Sequence, residues 1–277
     1  MSAVRDPVVP ISRPRAAARL LRYAVATLPL MPLQALLLAL GASLARRLPR
    51  WYHRRCCAIL GLEVVAHGAP AGTGPTLFVA NHVSYLDIVA LSTLADLSFV
   101  AKREVASWPF FGWLARLQRT VFVGRDRRRV DDERDSLATA LADGRALVLF
   151  AEGTSHDGTR LKPFKSSLLA VAELAPEGRP LTVQPVTIAY TRVDGMPIGR
   201  HLRPFYAWFG DMELASHLWR VLGIGRVTIE IEFHEPVTFA RFGSRKALTR
   251  HCEETIGRTL SSLNAGRRHA GAPLGLP

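Results

Sequence analysis

Short apolar runs alternate with helical patterns along most of this chain. Six runs rich in Val, Ile, Leu and Phe are typical of buried β-strands. They lie at 76–80, 98–101, 120–123, 146–150, 182–190 and 227–233. Amphipathic stretches that predict helices lie at 84–94, 109–117, 131–142, 163–174 and 244–263. This alternation predicts an α/β fold with a largely parallel central sheet flanked by helices.

The N-terminal segment has a different pattern. Residues 23–45 carry no charge, and such a run is long enough to cross a bilayer. Pro29 and Pro32 interrupt it, and arginine clusters flank both ends. Two basic flanks favour a re-entrant or interfacial helical hairpin, since basic residues prefer the cytoplasmic side. A single span is the alternative, and a secretory signal is disfavoured by the arginines that follow the run.

Composition and charge limit the class of protein. Of 277 residues, 48% are hydrophobic and 21% charged, which suits one ordered domain with an appendage. The net charge is +13, and residues 1–55 account for +9 of it through ten Arg against the single Asp6. These arginines bracket an apolar segment instead of lining a polar face, which argues against a nucleic-acid partner. Cys56, Cys57 and Cys252 lack metal-binding or disulfide spacing, so we expect a reducing compartment and no metal.

A histidine and an aspartate lie where the first predicted strand gives way to a helix. Asn81 and His82 follow the strand, and Asp87 comes five positions after the histidine. Five residues along one helix would place the two side chains on different faces, so they meet only if the chain turns between them. Ser84 as a helix N-cap would supply that turn. The alternative is a capping box of Ser84 and Asp87, with His82 an ordinary loop residue.

Polar segments also follow two other predicted strands. Arg125 comes after the strand at 120–123, and Glu152 comes after the strand at 146–150. Ligands bind beyond the carboxyl ends of parallel strands. We therefore expect the three polar segments to form one shared site.

Four ordered motifs resemble those of the glycerolipid acyltransferase family, which includes the 1-acylglycerol-3-phosphate O-acyltransferases. They are His82-x4-Asp87, Phe122-Val123-Gly124-Arg125, Glu152-Gly153-Thr154 and Gln184-Pro185-Val186. The resemblance implies a membrane anchor at 1–58 and an acyltransferase domain at 59–264. The tail at 265–277 contains Gly and Pro without periodicity, so we expect it to be flexible. The resemblance also implies an enzyme on the cytoplasmic face of a membrane, whose partners are membrane lipids, a lysolipid acceptor and acyl carrier protein or acyl-coenzyme A. The thioester is a co-substrate, and no separate cofactor is expected.

The chemistry of O-acylation suits the first motif. An alcohol needs a base with a pKa near 7 to accept its proton, and a histidine at position 82 fits that role, while Asp87 would fix the tautomer and stabilise the imidazolium. The sequence has no Gly-x-Ser-x-Gly elbow and no suitably placed cysteine, which favours direct transfer over an acyl-enzyme. The resemblance implies that a further group of residues binds the acceptor. These are Asn81, Ser84, Arg125, Glu152, Gly153 and Thr154.

Ordinary roles compete with several of these assignments. Arg125 belongs to a basic run that water alone would accommodate, and Glu152 would serve equally as a turn cap. His156, beside Asp157, is a rival histidine in what resembles a polar turn. The aromatic segment at 108–113 suits core packing, an acyl-channel wall or an interfacial anchor.

Departures from the family pattern refine the expectation. Arg119 replaces a usual glycine, Ala151 a proline and Ser155 an arginine, and the last change weakens the case for a phosphate-bearing acceptor. The segments at 116–123 and 152–158 resemble the branch that acylates lyso-ornithine lipid. A non-catalytic lipid-binding protein of the same fold and a thioester hydrolase are the competing classes.

Overall fold

The computed structural model describes residues 11–72, 74–124, 130–174, 178 and 180–267. Arg125 and the end of the predicted tail, 268–277, lie outside these described residues.

One nine-stranded sheet forms the centre of the protein. The strands are β1 Leu62–His67, β2 Thr76–Ala80, β3 Leu97–Lys102, β4 Val121–Val123, β5 Ala146–Phe150, β6 Thr182–Val193, β7 Met196–Pro197, β8 Val227–Phe233 and β9 Val237–Thr238. Their order is β1-β8-β6-β2-β5-β3-β4, with β7 and β9 paired to β6. All pairs along this path are parallel except β6 with β8. The prediction of a largely parallel sheet is confirmed.

Eight α-helices accompany the sheet in the described part of the chain. They are α1 Arg13–Thr27, α2 Leu30–Ala39, α3 Leu44–Leu60, α4 Leu86–Leu91, α5 Phe111–Leu117, α6 Val130–Ala142, α7 Leu214–Gly223 and α8 Arg245–Asn264. Side chains alternate across the sheet, as the period of two in a strand requires. On β2, Leu77 and Val79 pack with residues of α6 and α8, while Phe78 and Ala80 pack with residues of α3, α4 and α7. Helices therefore cover both faces.

The structure corrects one predicted helix and adds two elements that were not predicted. The helix predicted at 163–174 is only a 3₁₀ turn, Leu168–Glu173. Ahead of this turn the chain is not helical, and the N–H groups of Lys162 and Phe164 donate to the side chains of Glu152 and Glu253. The structure also adds β1 and α7, which the periodicity does not predict.

The N-terminal helices form a hairpin that packs on the domain. The chain reverses after α2, and α3 runs back along α2 and α1, with the Gln34 amide donating to the Ala45 carbonyl over 2.9 Å. Arg19 of α1 donates to the carbonyls of Leu222 and Ile224, at the end of α7. The segment Arg13–Ala39 is long and apolar enough to cross a membrane, by length and composition alone.

Candidate active site

A tight turn joins β2 to α4 and carries the predicted histidine. Asn81 begins the turn, where its buried side-chain amide donates to the Ile188 carbonyl and accepts from the Ile188 N–H over 2.9 and 2.8 Å. This two-way contact fixes the end of β2 against β6. The helix then starts at Leu86, after Tyr85, without a side-chain cap.

Asp87 accepts four hydrogen bonds while it is completely buried. Its Oδ2 accepts from His82 Nδ1 over 2.8 Å and from the N–H groups of Val83 and Ser84 over 2.7 and 3.0 Å. Its Oδ1 accepts from the Tyr190 hydroxyl over 2.8 Å. Burying a carboxylate is costly unless it is hydrogen-bonded, and these donors supply that compensation.

The prediction that the Ser84 side chain is an N-cap is wrong. Tyr85 occupies the N-cap position, and Ser84 instead gives its backbone N–H to Asp87. The carboxylate therefore accepts the Ser84 N–H without a capping box around Ser84, and it also binds His82. Of the two interpretations that the sequence left open, the structure supports the contact between His82 and Asp87.

The His82 ring is held on two sides. Asp87 is an acceptor only, so Nδ1 carries the proton and Nε2 carries the lone pair. One face of the ring stacks on Phe150, with ring centroids 3.9 Å apart and planes 13° from parallel. The side chain is 18% exposed. An oriented imidazole with a basic Nε2 can accept a proton from a bound hydroxyl.

Glu152 holds the main chain of the turn. Its Oε1 accepts from the His82 N–H over 2.7 Å, and its Oε2 accepts from the Lys162 N–H over 2.9 Å. Burial raises the pKa of Glu152 to about 7, although these two backbone donors oppose the shift. Gly153 follows with φ +70° close to Lys165, and Thr154 is exposed.

Further contacts tie two other loops to the histidine turn. The His156 N–H donates to the His82 carbonyl over 3.0 Å, and the Trp208 N–H donates to the Val83 carbonyl over 3.0 Å. The buried Ser155 hydroxyl donates to the Trp208 carbonyl. The His156 side chain lies beside Asp157, at 3.0 Å, and both are about one-quarter exposed. The structure therefore places both histidines near one another but pairs them with different aspartates.

An apolar cavity of about 200 Å³ lies next to this turn. It is enclosed by residues of α1, α2 and α3 on one side and of α4, α5 and α7 on the other. Tyr85 and Leu86, which directly precede Asp87, line it, as do Trp108 and Phe111 of the predicted aromatic segment. Trp113 of the same segment points outward and is 62% exposed. The segment thus contributes both a cavity wall and an exposed aromatic residue.

The described part of the chain offers no alternative nucleophile or metal centre in the turn. Burial raises the pKa of the Cys56 thiol to about 11 and that of Cys57 to about 12, so neither is a thiolate at neutral pH. The Ser84 side chain is completely buried. No group of three or more His, Cys, Asp or Glu side chains in the described ranges could hold a metal ion.

Sequence reasoning missed three residues of this site. Tyr190, Phe150 and Trp208 contact the turn from distant parts of the chain. Tyr190 and Phe150 end predicted strands, and this position at the carboxyl edge of the sheet was the signal that could have identified them.

Comparisons with known proteins identify the family of the chain. Residues 59–189 match the family described as Acyltransferase. A lyso-ornithine lipid O-acyltransferase from Rhizobium meliloti is 44% identical over 89% of this chain and 86% of the relative, and its counterpart from Brucella abortus is 44% identical over 87% and 92%. A 1-acyl-sn-glycerol-3-phosphate acyltransferase from Neisseria gonorrhoeae is 35% identical over 71% and 73%. The crystal structure of the 1-acyl-sn-glycerophosphate acyltransferase from Thermotoga maritima has the same fold, with a TM-score of 0.59 and 23% identity over 81% of this chain and 80% of that one.

The structure places a histidine and a buried aspartate at the carboxyl edge of an α/β sheet, near an apolar cavity. A general-base enzyme that acts on an apolar substrate needs groups of this kind. The sequence matches make the class specific. The chain belongs to the acyltransferase family, as the four motifs predicted, and it is an acyltransferase.

Proposed function

We propose that this protein is a membrane-associated O-acyltransferase of lipid biosynthesis that transfers a fatty acyl group from a thioester to the free hydroxyl of a lysolipid. The names of its relatives support a lysolipid acceptor. Lyso-ornithine lipid is the favoured acceptor, because the two relatives at 44% identity carry that name and the phosphate-acceptor relative is 35% identical. The donor is acyl carrier protein or coenzyme A carrying the acyl chain.

The contact between His82 and Asp87 carries the proposal. In the proposed reaction, His82 Nε2 takes the proton of the acceptor hydroxyl while the hydroxyl oxygen attacks the thioester carbonyl carbon. Asp87 stabilises the imidazolium that forms. The tetrahedral intermediate then expels the thiolate, which takes the proton from Nε2 and leaves as a thiol. This returns His82 to its neutral form and leaves the acyl chain on the acceptor oxygen.

Residues around the turn divide into two groups in this proposal. Asn81 and Ser84 are buried, so they shape the turn that presents His82 to the acceptor. Arg125, Gly153 and Thr154 bind the acceptor's polar head. Glu152 holds the main chain at His82 and Lys162 in place. Ser155 supports a head without phosphate, because its buried hydroxyl binds the Trp208 carbonyl where the related phosphate-acceptor motif has an arginine.

The apolar cavity is the proposed site for an acyl chain. Its walls are nearly all hydrocarbon and aromatic, and apolar surface of this kind stabilises a bound chain by about 0.8 kcal/mol for each methylene. Tyr85 and Leu86, the two residues before Asp87, line the cavity and connect it to the turn that carries His82. A chain in the cavity would therefore present its thioester or hydroxyl end to His82.

The N-terminal hairpin, within the segment 1–58, is the proposed membrane anchor. Along it, apolar side chains are turned away from the domain. They are Leu20, Leu21, Val25, Leu28, Leu33, Leu36, Leu40 and Leu44. Arginines at both ends of the hairpin favour contact with anionic lipid headgroups on the cytoplasmic face, where the thioester donors are made.

A transfer assay tests this proposal. Membranes or purified protein are given a thioester donor whose acyl chain is radiolabelled, carried by acyl carrier protein or coenzyme A. The acceptor is lyso-ornithine lipid, 1-acylglycerol-3-phosphate or none. We expect labelled ornithine lipid from wild type and at least about 10²-fold less from His82→Ala. Exclusive use of 1-acylglycerol-3-phosphate would exclude the ornithine version. Acyl release without any acceptor would favour the hydrolase, and a lack of all turnover would favour a lipid-binding protein.

A further inference from the structure

A tyrosine from the neighbouring strand contacts the carboxylate on the side away from His82. Strand β6 is parallel to β2, and Val186 is the partner of Ala80, the last residue of β2. Since β6 continues to Val193, Tyr190 lies beside the turn that follows β2. Its hydroxyl donates to Asp87 Oδ1 over 2.8 Å, and both side chains are completely or almost completely buried.

We propose that Tyr190 is a positioning residue that sets the basicity of the His82–Asp87 pair. This inference rests on the proposed role of His82 as the base. Asp87 has two oxygens with different partners, because Oδ2 accepts His82 and two backbone N–H groups while Oδ1 accepts Tyr190. The hydroxyl is therefore the one side-chain donor, other than His82 itself, among the contacts found for this carboxylate.

The direction of the effect follows from electrostatics. A hydrogen bond from Tyr190 draws negative charge from Asp87 and so reduces the attraction between the carboxylate and a protonated His82. A less stabilised imidazolium has a lower pKa, which keeps His82 neutral and ready to accept a proton at a lower pH. Removal of the hydroxyl should have the opposite effect, so the protonated form of His82 should persist to a higher pH.

Other titratable groups surround the His82–Asp87 pair, and their effects on the pH profile must be distinguished from that of Tyr190. Glu152 approaches from the loop after β5 and has a pKa raised by burial to about 7. From the remaining elements, Tyr85 precedes α4, Arg203 binds the Tyr190 carbonyl, and His156 lies on the loop after Glu152. None of these side chains is bonded to the Tyr190 hydroxyl in the described structure, so a Tyr190 variant leaves their contributions common to both pH profiles.

Tyr206 provides a matched control. Its ring stacks on Tyr190 with centroids 6.2 Å apart, and it is equally buried. The Tyr206 hydroxyl has no hydrogen-bond partner in the described part of the chain. Tyr206→Phe thus removes a hydroxyl from the same aromatic pair without removing a hydrogen bond to Asp87.

The test compares the pH dependence of kcat/KM for wild type, Tyr190→Phe and Tyr206→Phe, with the melting temperature of each. In Tyr190→Phe we expect the acidic limb to move up by about one pH unit, with a plateau at high pH close to wild type. At a pH on the acidic limb, kcat/KM should fall by about tenfold. Tyr206→Phe should keep the wild-type profile.

Two outcomes would overturn the inference. The first is a pH profile of kcat/KM in Tyr190→Phe whose acidic limb coincides with that of wild type, whether or not activity falls uniformly. The second is an acidic limb in Tyr206→Phe that shifts as far as the one in Tyr190→Phe. Fluorotyrosine at position 190 keeps the packing and donates more strongly, so the limb should move to lower pH, and an unmoved limb would also count against the inference. The variant His82→Ala, assayed in parallel, distinguishes the proposed role of His82 from that of Tyr190. Full activity in His82→Ala would refute the role of His82 as the base, whatever the Tyr190 variant shows.

Discussion

Replacement of Asp87 by asparagine isolates the charge of the carboxylate from its hydrogen bonds. Oδ2 accepts three N–H donors, from His82, Val83 and Ser84. In the asparagine variant, an amide nitrogen at the Oδ2 position would point its own N–H groups at these three donors. The amide oxygen must therefore occupy the Oδ2 position. The amide NH₂ then faces the Tyr190 hydroxyl, which can rotate and accept. The variant therefore keeps the proton on His82 Nδ1 and loses one negative charge.

The size of the effect follows from this geometry. Two unit charges about 4 Å apart interact by about 4 kcal/mol at an effective dielectric constant of about 20. Each 1.36 kcal/mol corresponds to about tenfold in rate, so a full loss would approach 10³-fold. Because the lower basicity of His82 is partly offset by easier proton release, we expect kcat to fall by about 10²–10³-fold. A reversed tautomer would cost about 10⁴-fold.

The pH profile of acyl transfer distinguishes these cases. Asp87→Asn should move the acidic limb to lower pH by about 1–3 units, because the imidazolium loses its neighbouring anion. Circular dichroism and vesicle binding serve as folding controls. Wild-type kcat, or an acidic limb that moves to higher pH, would refute the argument that Asp87 acts on His82 through its charge.

Three further predictions concern the surroundings of the pair. In Glu152→Gln, one of the N–H groups of His82 and Lys162 loses its acceptor, so kcat should fall at least about tenfold. Burial raises the pKa of Glu152 from 4.5 to about 7, so stability present below pH 4.5 is lost as pH rises to 7. Urea unfolding at pH 4.5 and 8 should show wild type losing about 3 kcal/mol relative to Glu152→Gln, and a constant difference would contradict the shift. Leu114→Trp should reduce use of the longest acyl donors about fourfold for each methylene excluded from the cavity, measured by competition between chain lengths, and an unchanged length profile would exclude the cavity as the acyl site. Leu21→Asp with Val25→Asp should weaken flotation with anionic vesicles, whereas Met196→Asp, which is equally exposed but on β7, should not, and equal binding of both variants would argue against the hairpin as anchor.

Much of the fold was predictable because its signals are local. The strands predicted at 76–80, 146–150 and 227–233 coincide with β2, β5 and β8, since fully buried strands are continuous apolar runs. The stretch at 163–174 was misassigned because its apolar spacing suits a helix, whereas its path is set by tertiary contacts such as those from the N–H groups of Lys162 and Phe164 to Glu152 and Glu253. Those acceptors are distant in the sequence, so no local pattern reveals them.

The candidate site divides in the same way. The approach of His82 to Asp87 was predictable, because five positions and a strand-to-helix bend constrain the geometry. The contact from Tyr190 was not, because it depends on the parallel pairing of β2 with β6 across about one hundred residues. Residues held by sheet register are the ones that sequence spacing misses.

The most direct test of the account is the transfer activity of His82→Ala at the pH optimum of wild type. The assay uses lyso-ornithine lipid as acceptor and acyl carrier protein that carries a labelled acyl chain as donor. Loss of the general base should reduce kcat by about 10²–10⁴-fold, while vesicle binding and the melting temperature stay near those of wild type. Transfer within tenfold of wild type by the folded, membrane-bound variant would contradict the claim that His82 removes the proton from the acceptor.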